Sequence, residues 1–386
     1  MSSAGAESNL AMRNGERIVT GTELHHCELF VEDAPSLAYY FVNAYGFAIR
    51  GVSGPETGMT DAMSVLLVHG DIHLVLTSAL DPGHRAADYV RRHGYGVATI
   101  AVLCDDAGAA YEAVLTRGGG SVLPPVRYES EGGAFTIAEV HGVGDLVHRF
   151  VQVTGRPQGF LPGFASRDAG AGRGVLRTLD HFALCVPAGE LDSAVHLYRE
   201  TFGYRQIFEE YVSFGDQAMD SRVVQSPGKG VTLVIAQPDP QRPATQVQNF
   251  VRLHDGPGVQ HLAFGTDDVV RAAREVRAGG VELLPTPAAY YDILRDRVGD
   301  IESDMSVLRE LDILVDRDHW GLLLQVFTRS PHVRRTLFFE LIERRSARTF
   351  GSANIQALYE AVQRDQERLG LSTVTEADRE PVTPAR

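Results

Sequence analysis

Three side chains that could hold a metal ion occur in strand-like apolar stretches of this sequence. His181 lies in LDHFAL, His261 in GVQHLAF and Glu340 in LFFELI. Two imidazoles and one carboxylate can occupy one face of an octahedral metal ion and leave the other positions open for a substrate and oxygen. The three residues therefore predict the metal site of a non-haem Fe(II) oxygenase.

A purely structural role is the alternative for each of these residues. A single histidine in an apolar strand is more often a hydrogen-bonded core residue than a metal ligand. Glu340 is harder to explain in this way, because a carboxylate between Phe339 and Leu341 is costly to bury without a cation or a proton. The corresponding strand contexts of the three residues favour metal ligation.

The composition limits the class of protein. The chain has 386 residues, of which 44% are hydrophobic, and is long enough for two domains. Its net charge of -14 argues against nucleic acid or an anionic membrane as a partner, because both favour clusters of Lys and Arg. No apolar run approaches the roughly 20 residues that cross a bilayer.

The chain ends and the cysteines give further expectations. Residues 1–17 have no apolar core of a signal peptide, and we expect them and residues 371–386 to be disordered, because neither segment has an apolar period. Cys27, Cys104 and Cys185 are too few and too scattered for a disulfide framework or a zinc site. These features predict a cytoplasmic protein.

The sequence contains an internal duplication. ELHHCELFV, which begins at Glu23, matches TLDHFALCV, which begins at Thr178. GYGVATIA, from Gly94, matches GPGVQHLA, from Gly256. Predicted helices over residues 36–44 and 191–201 follow the first pair, and acidic pairs that would cap a helix follow the second.

Each half therefore contains two copies of the order strand, helix and several strands. This order predicts an α+β fold in which tandem βαβββ modules form two open β-barrel domains with helices outside. We expect domains at residues 18–155 and 176–370, a Gly- and Pro-rich linker at 156–175, and a closing helix over 352–368. Inward-facing side chains from different strands would bring the three ligands together in the second barrel.

The duplication also provides an internal control. His26 in the first half corresponds to His181, but Thr99 stands opposite His261. Near the counterpart of Glu340 the first half has His148-Arg149 and no carboxylate. The sequence thus predicts that the second barrel alone binds the metal ion.

With these motifs in place, residues 20–370 resemble the 4-hydroxyphenylpyruvate dioxygenase family of the vicinal-oxygen-chelate superfamily. The most specific segments are GVQHLA from Gly258, LLQVFT from Leu323, FFELIER from Phe338 and FGSANIQALYEA from Phe350. The resemblance implies Fe(II) as the cofactor, held by the three residues named above. It implies O2 and 4-hydroxyphenylpyruvate as the small-molecule substrates. A homodimer is the expected assembly.

The resemblance also implies a substrate pocket. Its polar members would bind the substrate or orient the ligands, and its apolar members would pack on the aromatic ring. The expected residues are Ser221, Val234, Gln246, Gln260, Gln325, Phe327, Phe338, Phe350, Asn354 and Ile355. Ser221 and Asn354 are expected at the phenol end, and ordinary packing is the alternative for each position.

The family contains two activities on one substrate. Dioxygenases hydroxylate the ring and form homogentisate, whereas hydroxymandelate synthases hydroxylate the benzylic carbon and form 4-hydroxymandelate. The dioxygenase pattern PINEP appears here as VIAQP, which places Ala236 at the Asn position, and Ile355 replaces a Phe of the closing helix. Because a branched side chain changes the wall against which the ring packs, we favour the synthase, which would supply 4-hydroxyphenylglycine in secondary metabolism. The dioxygenase of tyrosine catabolism is the alternative.

Two other classes share the implied fold. Metal-free binding proteins sequester antibiotics, but they would hold no Fe(II) and consume no oxygen. Extradiol ring-cleaving enzymes have a similar set of ligands, but they do not explain the match of the closing helix.

Overall fold

The computed structural model describes residues 23–351, except 169, 171, 215–216 and 243–245, together with residues 353–355 and 357. The segments predicted to be disordered, 1–17 and 371–386, lie outside the described residues. So does most of the predicted closing helix, of which residues 353–355 and 357 are described and helical. Among the described helices, none has the length and apolar character needed to cross a membrane.

The first half contains two βαβββ modules joined by a helix. The first module consists of β1 (Glu23–Phe30), α1 (Ala34–Tyr45), β2 (Ala48–Ser53), β3 (Ala62–His69) and β4 (Ile72–Ala79). The joining helix is α2 (Arg85–His93). The second module consists of β5 (Gly96–Leu103), α3 (Ala107–Thr116), β6 (Ser121–Ser130), β7 (Gly133–His141) and β8 (Val147–Gly155).

The segment predicted as a linker contributes a short strand, β9 (Ala165–Ser166), to the first sheet. It pairs antiparallel with β2, where Val52 lies opposite Ala165. The chain between the halves is therefore anchored along the edge of the first sheet.

The second half repeats the order and adds an insertion. Its first module consists of β10 (Leu176–Cys185), α4 (Leu191–His196), β11 (Arg205–Phe214), β12 (Gln217–Gln225) and β13 (Thr232–Pro238). After α5 (Gln246–His254), the second module consists of β14 (Gly258–Thr266), α6 (Val269–Ala278), β15 (Leu314–Arg317), β16 (Leu322–Phe327) and β17 (Phe338–Arg345). Three short helices are inserted before β15: α7 (Ala288–Asp292), α8 (Leu294–Val298) and α9 (Met305–Glu310).

Each half forms one sheet that curls into an open half-barrel with its helices outside. The strand orders are β6-β7-β8-β5-β1-β4-β3-β2-β9 and β11-β12-β13-β10-β14-β17-β16-β15. In both sheets the two modules meet through one antiparallel pair, β1 with β5 and β10 with β14. The predicted α+β architecture of paired βαβββ modules is confirmed.

Helix ends follow the signals in the sequence. The side chain of Asp33 caps α1 by accepting a hydrogen bond from the Ser36 amide, and the helix ends at Gly46, whose φ of 73° suits glycine. Asp106 and Asp268 cap α3 and α6 in the same way. The helix predicted over residues 191–201 differs in its second part, because residues Leu197–Thr201 form a π-helical turn.

Aromatic side chains pack the two halves together. The ring of Phe41 on α1 lies 5.3 Å from that of Phe339 on β17, and Tyr45 contacts both Phe339 and Phe264. At a second contact His93 of α2 stacks on His254 of α5, with ring centroids 4.2 Å apart. Strand β17, which carries Glu340, therefore packs against the first half.

Candidate metal centre

Three neighbouring strands place His181, His261 and Glu340 on one face of the second sheet. Ala263 of β14 lies opposite His181 of β10 on one side and opposite Glu340 of β17 on the other. Cross-strand partners share a face of the sheet, and so do residues two apart on one strand. His261 therefore points to the same side as Ala263, and the small alanine leaves room for the three larger side chains to converge.

The three side chains meet at the carboxylate of Glu340. Its Oε2 atom lies 3.4 Å from Nε2 of His181 and 3.3 Å from Nε2 of His261. One ligand atom of each residue lies within 4.8 Å of the others, and the residues are only 3%, 8% and 1% exposed. Neighbouring ligands at about 2.1 Å from a metal ion would be roughly 3 Å apart, so the arrangement fits a metal ion with little adjustment.

The electrostatics of the group also suit a cation. Burial would raise the pKa of Glu340, but the two imidazoles outweigh it and lower the pKa to about 2. Burial would lower the pKa of His181, but Glu340 and Asp180 raise it to about 9. Burial prevails at His261 and lowers its pKa. Without a metal ion, a proton on His181 compensates the buried carboxylate, and a metal ion would supply that positive charge instead.

Charged side chains orient His181. Its Nδ1 atom lies 2.8 Å from Oδ1 of Asp180, which leaves Nε2 for a metal ion. Arg344 donates two hydrogen bonds to Asp180, of 2.7 and 2.8 Å, and its guanidinium lies over the ring of Phe350. His261 has a weaker partner, Oε1 of Gln260 at 3.3 Å from Nδ1. Such partners fix the orientation of the ring and increase its basicity as a ligand.

A cavity of about 80 Å³ opens beside the three ligands. Eight of the ten residues predicted for the substrate pocket line it, namely Ser221, Val234, Gln260, Gln325, Phe327, Phe350, Asn354 and Ile355. The other two lie outside its lining. Phe338 stacks on His261 with ring centroids 5.0 Å apart. Gln246 is buried next to Val247, which does line the cavity, and its Oε1 atom has no hydrogen-bond partner among the described residues.

Several residues that line the cavity were not predicted from the sequence. They include Phe208 and Glu210 on β11, Met219 and Val223 on β12, and Cys185 and Val247. Met219 and Val223 lie two residues on either side of Ser221, so the alternation of a strand could have identified them. Four of the lining residues, Met219, Ala236, Val247 and Ile355, also belong to one apolar cluster.

The first half has the same strand register as the second, but different side chains occupy the positions of the three ligands. Ala101 of β5 lies opposite His26 on β1 and opposite Arg149 on β8, as Ala263 lies between His181 and Glu340. Arg149 is therefore the counterpart of Glu340, and Thr99 is the counterpart of His261. Among the described residues, the one buried group of His, Cys, Asp or Glu side chains that could hold a metal ion is in the second half.

The sequence of both halves matches a known superfamily model. The model of the Glyoxalase/Bleomycin resistance protein/Dioxygenase superfamily matches residues 23–144, within the first half, and residues 178–326 of the second half, a range that ends before β17. The chain is a member of this superfamily, whose other name is the vicinal-oxygen-chelate superfamily.

Relatives of known function narrow the classification. The chain is 31% identical to 4-hydroxyphenylpyruvate dioxygenase from Danio rerio, over 94% of this chain and 95% of that protein. It is also 31% identical to the enzyme of the same name from Xenopus tropicalis, over 95% and 97%. A solved structure of a triple mutant of 4-hydroxymandelate synthase from Streptomyces coelicolor is 39% identical, with a TM-score of 0.82 over 89% of this chain and 99% of that one. The chain therefore belongs to the 4-hydroxyphenylpyruvate dioxygenase family.

Proposed function

We propose that this protein is an Fe(II)-dependent oxygenase that converts 4-hydroxyphenylpyruvate and O2 into 4-hydroxymandelate and CO2. The observation that carries the proposal is the convergence of His181, His261 and Glu340 on one apolar cavity that is walled by Ala236 and Ile355. The family gives the substrate class, and the cavity wall together with the similarity to a 4-hydroxymandelate synthase favours the benzylic product.

In this proposal His181, His261 and Glu340 hold Fe(II). When bound, Fe(II) would accept the keto acid as a bidentate ligand and supply the activation of O2 for oxidative decarboxylation and hydroxylation. The protein keeps water away from the reacting groups, because all three ligands are nearly inaccessible to solvent. Asp180 and Arg344 fix the ring of His181 and would keep its Nε2 atom directed at the ion.

The apolar part of the cavity wall would hold the aromatic ring. Ile355 packs with Met219, Ala236 and Val247 there, so the ring would meet branched and small side chains rather than a flat aromatic one. The benzylic and ring carbons are only a bond or two apart, and a small displacement of the ring decides which of them is attacked. The branched wall supports benzylic attack in this proposal.

Polar groups at the two ends of the cavity would orient the substrate. We assign Gln260 to the keto-acid end, because it precedes His261 and contacts its ring. We assign Ser221 to the phenol end. Among the described residues, the one hydrogen-bond partner of its hydroxyl group is the backbone carbonyl of Glu210, at a long distance of 3.3 Å, and this bond could be exchanged for one to the substrate hydroxyl.

Product identification tests the proposal. Purified protein would be incubated with Fe(II), O2 and 4-hydroxyphenylpyruvate, and the products would be separated and identified by mass spectrometry against standards. The Glu340→Ala variant is the matched control for uncatalysed decay of the keto acid. The proposal expects 4-hydroxymandelate in the wild type, with equal release of CO2, and no product in the control.

Ring hydroxylation is the second candidate, because the relatives from Danio rerio and Xenopus tropicalis are 4-hydroxyphenylpyruvate dioxygenases. Homogentisate as the main product would establish that activity and overturn the benzylic assignment. If 4-hydroxymandelate is formed, we place the enzyme in cytoplasmic secondary metabolism, upstream of 4-hydroxyphenylglycine.

A further inference from the structure

A chain of buried hydrogen bonds connects Glu340 to Asn354, which lines the cavity beside Ile355. Gln325 donates from Nε2 to Oε1 of Glu340 at 2.8 Å, on the side of the carboxylate away from the histidines. Asn354 donates from Nδ2 to Oε1 of Gln325 at 2.9 Å. Oδ1 of Asn354 accepts from the Tyr290 hydroxyl at 2.7 Å and from the Arg297 guanidinium at 3.2 Å. Gln325 and Asn354 are 2% and 1% exposed, so water does not replace these bonds.

The two ends of this chain determine its direction. An ionised carboxylate can only accept hydrogen bonds and a guanidinium can only donate them. Gln325 must therefore present its NH2 group to Glu340 and its oxygen to Asn354. Asn354 must then present its NH2 group to Gln325 and its oxygen to Arg297. Neither amide can be turned without placing two acceptors or two donors in contact.

The backbone around Asn354 is held in place as well. Arg297 also donates to the carbonyl of Ala353 at 3.3 Å, and Oδ2 of Asp316 accepts from the amide of Ala353 at 3.2 Å. Gly351 has a φ of 80°, and a Cβ atom there would lie 2.1 Å from Oε1 of Gln325. Gln325 thus fits against residue 351 only because that residue is a glycine.

We propose that Asn354 is a positioning residue for the carboxylate of Glu340 and acts through Gln325. The helical residues 353–355 would complete the metal site by fixing the amide that aims Glu340 at the metal ion. Both N–H groups of Gln325 are engaged, by Glu340 and by the Phe350 carbonyl at 3.5 Å. This role replaces the binding of the phenol end that the sequence suggested for Asn354. The inference rests on the proposed metal site.

The substitution Asn354→Asp tests this role without a change in size. Aspartate cannot donate a hydrogen bond to Gln325, and the adjacent Arg297 would keep it ionised. Gln325 would then turn its NH2 group towards residue 354 and its oxygen towards Glu340. We expect a loss of metal affinity of about 10–100-fold, the range typical of groups that support a ligand. The measurement is the dissociation constant of Co(II), by chelator competition, in the wild type and the variant.

The Asn354→Ala variant distinguishes the orientation of Gln325 by Asn354 from the simple filling of space by the Asn354 side chain. Alanine removes the donor but imposes no turn on Gln325, so its metal affinity should fall less than that of Asn354→Asp. A residue that only fills space would give the reverse order, because alanine loses more volume. Asn43→Asp, on the exposed side of α1, is the control for added charge and should bind Co(II) as the wild type does. Thermal unfolding of the metal-free proteins checks that each variant is folded.

The possible outcomes are distinguishable. If the wild type does not bind Co(II), the proposed metal site is wrong. If the wild type binds and Asn354→Asp binds equally well, or if Asn354→Ala binds more weakly than Asn354→Asp, the positioning role is overturned. If Asn354→Asp does not fold, the comparison of Asn354→Ala with Gln325→Leu decides. The leucine variant, which lacks the amide that aims Glu340, should bind Co(II) more weakly than Asn354→Ala, and an equal or tighter affinity would contradict the proposal.

Discussion

The two half-barrels satisfy buried carboxylates in different ways. In the first half the guanidinium of Arg149 lies 2.9 Å from Glu28, 2.7 Å from Glu139 and 3.1 Å from Nε2 of His26. In the second half the position of Arg149 is taken by Glu340, and two imidazoles face it. The first half supplies its own cation as part of the chain. The second half has a negative group that a cation from solution would complete.

This difference explains how a duplicated fold could specialise. The ion pairs of Arg149 hold the pKa of Glu28 below its ordinary value although burial alone would raise it, and Arg85 adds to the effect. Arg85 also donates to Thr99, the counterpart of His261. The first half is therefore a scaffold in which internal charge pairs occupy the position that corresponds to the metal site, and its aromatic contacts support the strand that carries Glu340.

The largest effect should come from changing the ligands of the second half. His181→Ala, His261→Ala and Glu340→Ala should each lower turnover by more than about a hundredfold, beyond the loss typical of residues that only orient a ligand. His26→Ala, at the corresponding position of the first half, should keep its turnover. Oxygen uptake with 4-hydroxyphenylpyruvate measures both. Near-normal uptake in any of the three ligand variants would remove that residue from the site.

Arg149→Met should affect stability rather than metal binding. It leaves Glu28 and Glu139 buried without their main cation, and removal of one partner of a buried ion pair typically costs about 3–5 kcal/mol. Urea denaturation of the metal-free protein measures the loss. A triple variant that also carries Glu28→Gln and Glu139→Gln should recover much of it. A large drop in the metal affinity of folded Arg149→Met would contradict the division of roles between the halves.

The smallest effect concerns the product. Ile355→Phe should divert part of the flux from 4-hydroxymandelate to ring-hydroxylated products, because a flat side chain favours a stacked pose of the ring. A tenfold change in ratio needs about 1.4 kcal/mol, and one aromatic contact contributes roughly 0.5–1.5 kcal/mol. Chromatography at matched oxygen gives the ratio, with Ile355→Leu as the control. An unchanged ratio would show that residue 355 does not steer the ring.

The sequence predicted those parts of the fold and of the site that depend on one local pattern. The duplication predicted the paired modules, and apolar strand contexts singled out His181, His261 and Glu340, which the fold brings together. The inserted helices α7–α9 have no counterpart in the first half, so the duplication could not predict them. Tyr290 and Arg297 come from this insertion, and they reach Asn354 only through the tertiary fold.

Other details depended on distances that the sequence does not contain. Phe338 precedes Glu340 by two residues and was predicted to line the pocket, but its ring stacks on that of His261 and does not reach the cavity lining. Arg149 was known only to be near the counterpart of Glu340, and the strand register was needed to identify it as that counterpart. The interaction of Arg344 with Asp180 joins residues far apart in the chain, which no local pattern could indicate.

The most direct test of the comparison is the number of metal ions that each chain binds. Anaerobic titration with Fe(II), followed by removal of free metal and metal analysis, would be made on the wild type, His26→Ala and Glu340→Ala. The account predicts one Fe(II) per chain in the first two proteins and none in Glu340→Ala. Two ions in the wild type, retention of iron by Glu340→Ala, or its loss from His26→Ala would contradict the assignment of the metal site to the second half alone.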